Sequence, residues 1–384
     1  MSVIVVNVRA VLVNRPDGDV TWTVVDRSGL VIDEVDRFLN GYLRATAASL
    51  NTVRSYARHL ALFFRWLAGR SAHWETLSFD GLCTFTQDLQ DGSLRSLRRP
   101  GEYRPQQPRG RTSCEAVLAA LYSFLTYWQL EGRGPVDLRL YRNTTTAGRS
   151  KYSFLAHVEA RRSQVTRRIK VRGPKAGAPA VIDFESDFLR LLGAALTFRD
   201  RTLLSCLYDG GLRISQALGL RHEDLDIARK KVAIVRRTDN ANGALSKQRD
   251  PFKIDMPQRF FEFYAASLVE EQLDLGIDSD YVFVNLEAAS RGRPLSYSNA
   301  AQVVRRTGLR VGITLTPHTL RHTHGTFLAK QGWSAPEIAK RLGQSSASSA
   351  DVYIHLADDH IAEKYAAMSA KKADHNVSTA ERPR

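Results

Sequence analysis

Thr316-Pro317-His318-Thr319-Leu320-Arg321-His322 is the stretch on which the reading of this chain turns. Thr316 suits a helix N-cap and Pro317 the first helical position, so His318 opens a helix. His318 and Arg321 are three residues apart and share one face. Both lie in the first turn, where free N–H groups and the helix dipole favour an anion. One helix start thus presents a titratable imidazole, a fork-shaped cation and a positive dipole, which is a phosphate site in outline. Taken alone, the same residues also describe a His and an Arg that cap an ordinary surface turn.

Three other short patterns flank this one. Upstream stands Gly210-Gly211-Leu212-Arg213-Ile214, where the glycine pair ends one helix and Arg213 follows the break. Downstream stands Leu342-Gly343-Gln344, and nine positions after Gln344 comes Tyr353-Ile354-His355. An Arg after a helix end and a half-buried Tyr are each commonplace. Their order is not. Arg, then His-x-x-Arg, then Leu-Gly-x, then Tyr resembles the tyrosine recombinase family, which includes phage integrases, Xer recombinases and some transposases. The resemblance spans roughly residues 30–368. Leu218–Asp226 follows the family's first box, and Gly325–Leu342 its second. Two positions depart from the pattern. Gln344 stands where the family usually has His or Trp, and Gln216 where Glu is frequent. A glutamine donates or accepts a hydrogen bond but does not titrate, so these departures bear on activity and not on fold.

The resemblance implies roles for these residues. Tyr353 is the expected nucleophile on a scissile DNA phosphate, forming a 3′-phosphotyrosine. Arg213 and Arg321 are expected to clamp the non-bridging oxygens, whose charge grows in the transition state. His318 is expected to assist proton transfer or hydrogen-bond the phosphate, and Gln344 takes the remaining position at the phosphate. A lysine in a strand hairpin protonates the leaving 5′ oxygen. Lys247 is the first choice and Lys253, on the returning strand, the second. No cofactor and no metal are expected. Carboxylates are not clustered as two-metal nucleases require, and His318 and His322 lack the intervening Glu of a zinc protease helix.

The rest of the chain is read from pattern and composition. Residues 1–29 are β-like, with β-branched runs broken at Pro16-Asp17-Gly18, and read as an N-terminal arm. Residues 30–140 carry helical periodicity and form a helical core-binding domain of about four helices. Val53, Tyr56, Leu60, Phe63, Phe64 and Leu67 make one face of its clearest helix, with Asn51 as the expected cap. Residues 141–180 read as a basic linker, 181–368 as a mixed α+β catalytic domain, and 369–384 as a polar tail. The last helix is expected to begin near Ala357, and strands at Lys231–Arg237, Phe252–Met256 and Tyr281–Asn285. The fold class is therefore mainly α with a small β-sheet.

Among 384 residues, 55 are Lys or Arg and 40 Asp or Glu, a net charge of +15 that attracts polyanions. The basic residues cluster. Ser93–Arg111 holds six arginines against Glu102, and Arg149–Lys175 holds nine basic residues against Glu159. Phosphate-contact candidates are Arg54, Arg58, Arg98, Arg99, Arg109, Arg111, Arg161, Arg162, Arg167, Arg168 and Lys170. Three cysteines are widely spaced and suggest a reducing cytosol. No apolar run approaches a membrane span, and the first residues lack the marks of a signal peptide.

Together these features predict a site-specific DNA recombinase, an integrase or transposase of a mobile element. Two alternatives remain open: a catalytically impaired DNA-binding protein on the same scaffold, and a type IB topoisomerase-like enzyme. Expected partners are double-stranded DNA, further copies of the chain in a homotetramer on synapsed sites, and accessory proteins of the element. The expected location is the bacterial cytoplasm, at the nucleoid.

Overall fold

Two units divide the chain, Met1–Gly177 and Ala178–Arg384. The structure, a computed structural model, describes residues 8–15, 18–94, 96–97, 103–104, 108–145, 163–174, 179–246, 250–344 and 346–356.

In the first unit the β-branched residues form an antiparallel hairpin, β1 (Arg9–Asn14) and β2 (Val20–Val25), with Arg9 opposite Val25 and Asn14 opposite Val20. The hairpin packs on the helical core and does not stand apart as an arm. Val8 and Val24 are buried in that core, and Arg65 Nη2 donates to the Val8 carbonyl at 2.7 Å. A two-stranded ribbon cannot bury its own apolar face, so it leans on a helix.

Helix α1 (Asp33–Asp36) runs into a π-helical segment, Arg37–Leu43. Then come α2 (Leu50–Ala68), α3 (Phe79–Asp91), the two-residue strands β3 (Ser96–Leu97) and β4 (Tyr103–Arg104), and α4 (Arg111–Leu130). Helix α2 buries the predicted face, including Val53, Leu60, Phe63 and Leu67. Its cap is Ser49, whose hydroxyl accepts from the Thr52 N–H at 3.2 Å, while Asn51 lies inside the first turn. The core is aromatic. Phe63 meets Phe85 edge-on at 5.2 Å, and Phe124 meets Phe38 and Trp74 at 5.6 and 5.2 Å. Each such ring removed from water stabilises the unit by about 1.5–3 kcal/mol.

Residues expected as a linker also contribute here. Strands β5 (Tyr141–Thr145) and β6 (Ser163–Arg167) pair antiparallel, and Val171 enters the core, as does Leu140 just ahead of the expected linker. Charge density concealed this, because a polar ribbon gives no apolar alternation to read.

The second unit holds α5 (Ser186–Ala194), α6 (Phe198–Tyr208) and α7 (Ile214–Leu218). An antiparallel sheet follows, β7 (Leu225–Asp226), β8 (Lys231–Ile234) and β9 (Phe252–Asp255), in the order β7-β8-β9. Then come α8 (Gln258–Ala266), which continues as a π-helical segment Ser267–Leu273, α9 (Tyr297–Arg310), α10 (Pro317–Lys330), α11 (Ala335–Arg341) and α12 (Asp351–Leu356). Phe188, Leu203, Leu207, Tyr208, Ile254, Phe260 and Leu320 share its main core. The strand expected at Tyr281–Asn285 does not join the sheet. Tyr281 bridges Arg221 and Val284 bridges Pro294, each as an isolated pair. Val282 and Phe283 are buried, so the apolar run reported burial and not strand pairing. The helix expected from Ala357 and the polar tail lie outside the described residues. The chain is mainly α with a small β-sheet. Among the described residues no helix is long and apolar enough to cross a membrane.

Candidate active site

Helix α6 is buried along nearly its whole length, and it delivers Asp209-Gly210-Gly211 to the centre of the second unit. Gly211 has φ +59°, and a Cβ there would lie 2.5 Å from Leu342 Cδ2 and 2.6 Å from His324 Cδ2. Backbone conformation and crowding both demand glycine. The chain then presents Arg213, half-buried, just ahead of α7. Its N–H donates to Gln216 Oε1 at 2.8 Å, and its Nη1 donates to the Gly343 carbonyl at 3.2 Å.

Helix α10 begins as the sequence predicts. The Thr316 hydroxyl accepts from the Thr319 N–H at 3.1 Å, and Pro317 takes the first turn. Arg321, one turn in, is 4% exposed. Its Nη1 donates to the Gly211 carbonyl at 2.6 Å and its Nη2 to the Leu342 carbonyl at 3.0 Å. One guanidinium thus ties together the turns that follow α6 and α11. Burial, and then the charge of Arg213, lowers the Arg321 pKa to about 10, while Tyr353 works the other way and hydrogen-bonds it. Among the described residues no ion pair neutralises Arg213 or Arg321. Two adjacent, uncompensated cations leave the site short of an anion.

The histidines divide by depth. His318 is exposed at the helix start. Its pKa lies below the ordinary value through desolvation, then Arg321, then Arg213. It is therefore neutral near pH 7 and able to accept a proton. His322 is half-buried, and burial, His318 and Arg321 lower its pKa likewise. His324 is fully buried, and burial, with Arg341 and Arg321 adding to it, pushes it down to about 3. It is a neutral packing group against Gly211. Sequence reasoning missed this support. Its one signal was a third histidine on a face of α10 that otherwise buries Leu320 and Leu328.

Helix α11 ends at Gly343, φ +60°, with the Gln344 N–H bonded to the Ala339 carbonyl at 2.8 Å. The Gln344 Oε1 is shielded from solvent without a hydrogen-bond partner. Gly343 and Gln344 border a groove of about 400 Å³ with Phe252, Pro336 and Lys340. Tyr353, on α12, is 2% exposed and packs with Leu328, Ile338, Leu342 and Ala350. Its ring centroid lies 5.6 Å from that of His322.

Arg213, His318, Arg321 and Tyr353 are therefore brought together from α10, α12 and the turn ahead of α7, and Gln344 follows Gly343, whose carbonyl Arg213 holds. Lys247 lies outside the described residues. Lys253 is exposed on β9, opposite Ala233. In the first unit, Arg54 and Arg58 are exposed on α2 with their guanidinium carbons 5.1 and 5.8 Å from the Trp22 ring. Arg111 pairs with Glu115 at 2.7 Å. Arg167 lies 5.2 Å from the Tyr122 ring and Arg168 4.0 Å from that of Phe79. Arg109 is half-buried ahead of α4, and Lys170 is exposed. Arg98, Arg99, Arg161 and Arg162 lie outside the described residues.

Guanidiniums held beside a phenol, with a neutral imidazole at a helix start, are the equipment of a phosphoryl-transfer enzyme that works through tyrosine. Comparison with known proteins gives the same class. Residues 184–360 match the phage integrase family, and residues 35–132 match the phage integrase N-terminal SAM-like domain. Transposase A from transposon Tn554 of Staphylococcus aureus is 29% identical over 345 residues, covering 90% of this chain and 93% of that protein. Tyrosine recombinase XerD of Staphylococcus haemolyticus is 30% identical over 193 residues, 49% of this chain and 61% of XerD. The fold is similar to that of the XerH site-specific recombinase in its post-cleavage complex with a palindromic difH substrate. The TM-score is 0.57 at 16% identity, covering 87% of this chain and 86% of that one. It is also similar to the lambda integrase dimer bound to a COC′ core site, with TM-score 0.53 at 13% identity, covering 84% and 94%. The chain belongs to the phage integrase family of tyrosine recombinases, enzymes that cut and rejoin DNA strands.

Proposed function

We propose that the chain acts on double-stranded DNA through Tyr353. The phenol oxygen attacks the scissile phosphorus, a 3′-phosphotyrosyl ester forms, and the bond to the 5′ oxygen breaks. The phenol, with an unperturbed pKa near ~10, gives up its proton as it attacks. Neutral His318 is the proposed acceptor of that proton. Arg213 and Arg321 hold the non-bridging oxygens, and Gln344 adds an amide contact. The leaving 5′ oxygen takes a proton from Lys247, with Lys253 as the alternative. Attack by the 5′ hydroxyl of another strand on the phosphotyrosine then rejoins DNA and frees Tyr353. The observation that carries this reading is the pair of uncompensated guanidiniums beside Tyr353, with Arg321 fixed by two main-chain carbonyls.

The net charge of +15 supports a polyanionic partner. Arg54, Arg58, Arg109, Arg111, Arg167, Arg168 and Lys170 are the described candidates for backbone phosphates, with Arg98, Arg99, Arg161 and Arg162 from the sequence. The similarity to a transposase along most of the chain favours a mobile-element enzyme, acting in the bacterial cytoplasm at the nucleoid. Accessory proteins of the element would assist it. A homotetramer on two synapsed sites is the assembly in which strands exchange.

The test is incubation with a nicked suicide duplex in the presence of EDTA, followed by denaturing electrophoresis. A covalent protein–DNA adduct is expected. DNA binding without any adduct would reassign the chain as a binding protein on a recombinase scaffold. Relaxation of supercoiled DNA without joining of two sites would reassign it as a topoisomerase.

A further inference from the structure

We infer that Gly325 is a positioning residue for Tyr353: its bare backbone is the floor on which the nucleophile's ring lies. A Cβ built at Gly325 would stand 2.8 Å from Tyr353 Cδ1, 2.8 Å from Cε1 and 2.9 Å from Cε2. Three ring atoms at nearly equal range mean that the ring presents its face to the backbone of α10. No real Cβ sits that close to an aromatic carbon. The ring is also hemmed in elsewhere, being 2% exposed and packed with Leu328, Ile338 and Leu342. It therefore has little room to yield to an added methyl group.

The placement has a chemical consequence. His318, Arg321 and Gly325 follow one another at intervals of three and four along α10, so they form one stripe of the helix. The phosphate-binding side chains stand at the start of that stripe, and the nucleophile rests four residues past Arg321. One rigid element thus sets the distance between the phenol and the groups that activate its target. Attack on phosphorus is sensitive to misplacement of that order. Glycine weakens a helix interior relative to alanine, and at this position the close approach of the ring accounts for its presence.

The inference rests on Tyr353 being the nucleophile, which Tyr353→Phe tests separately. The deciding variant is Gly325→Ala, made in the full chain and also in a Tyr353→Ala background, where the ring is gone. Adduct formation on the suicide duplex should slow at least tenfold in Gly325→Ala, while affinity for the same DNA stays within about twofold of the parent. That split between adduct rate and DNA affinity is the readout a merely structural role would not give, and thermal melting tests the contact itself. Gly325→Ala should raise the melting temperature in the Tyr353→Ala background, where the helix gains alanine without a clash. It should leave it unchanged or lower it in the parent. Adduct formation at the parent's rate, or equal melting shifts in the two backgrounds, overturns the inference. If Tyr353→Phe abolishes the adduct while Gly325→Ala does not slow it, only the role of Gly325 fails. If Tyr353→Phe still forms the adduct, the nucleophile itself is misassigned.

Discussion

Arg321 and Gly211, 110 residues apart in sequence, are joined by a hydrogen bond of 2.6 Å from the buried Nη1 to the main-chain carbonyl. The guanidinium that is to hold the phosphate is thus fixed by backbone, and that backbone holds its course only because residue 211 is glycine. Gly211→Ala places a side chain at φ +59° and drives its Cβ against Leu342 and His324. The strained backbone and the overpacking together should destabilise the second unit by about 2–5 kcal/mol. Urea unfolding, followed on the transition of that unit, measures it. A loss below about 0.5 kcal/mol, the range of an ordinary surface change, would contradict the packing described.

His324 predicts a pH dependence of stability. Its folded pKa is about 3, against about 6.5 in an unfolded chain. Between those values the unfolded state takes up a proton that the folded state refuses. Stability is therefore whole above pH 6.5 and falls as the pH drops towards 3, by up to about 1.4 kcal/mol per pH unit. His324→Gln removes that slope. From pH 7 to pH 5 the parent's unfolding free energy should fall relative to the variant's by about 2 kcal/mol. A difference that stays constant with pH would show that His324 is not held neutral in the core.

Gln344 carries the chain's departure from the family pattern. The family's Trp at this position donates only through its indole N–H, so a titrating group is not required in every member. An amide makes the same donation, and either end of the Gln344 side chain can be turned towards a ligand. Gln344→Ala should slow single-turnover cleavage by about 10²-fold, and Gln344→His should stay within about tenfold of the parent. An alanine variant as fast as the parent would remove the side chain from the chemistry.

The leaving-group proton separates Lys247 from Lys253. An alkoxide needs protonation as it departs, whereas a thiolate does not, so a duplex with sulfur at the bridging 5′ position makes the general acid dispensable. Lys247→Ala should slow cleavage of ordinary DNA by about 10²-fold or more and regain the parent's rate on the sulfur substrate, with Lys253→Ala unaffected on both. The opposite pattern assigns the role to Lys253. No effect of either variant places the acid elsewhere.

The site was legible in the sequence to the extent that its residues are local. The cap at Thr316, the proline after it and the His-x-x-Arg spacing are all encoded within one turn of helix, and they fold as read. Contacts across the chain were not legible. Nothing within reach of Gly211 in sequence says that Arg321, His324 and Leu342 converge on it, and no periodicity reveals that Tyr353 lies on Gly325. In the first unit, β-branched runs marked β1 and β2, but the packing of that hairpin on α2 depends on Val24 and Arg65, far apart in sequence. Strands β5 and β6 are polar and carry no alternating apolar signal. Val282 and Phe283 failed in the other direction, because an apolar run reports burial whether or not a ladder forms.

Replacing Tyr353 by phenylalanine tests the central claim most directly. The change removes one hydroxyl from a ring packed among apolar neighbours, so the fold and the affinity for a nicked suicide duplex should be retained. The parent should yield a covalent adduct whose DNA-linked peptide contains residue 353, and the Tyr353→Phe protein should yield none. An adduct of undiminished yield from the phenylalanine protein would contradict the account and move the nucleophile to another residue.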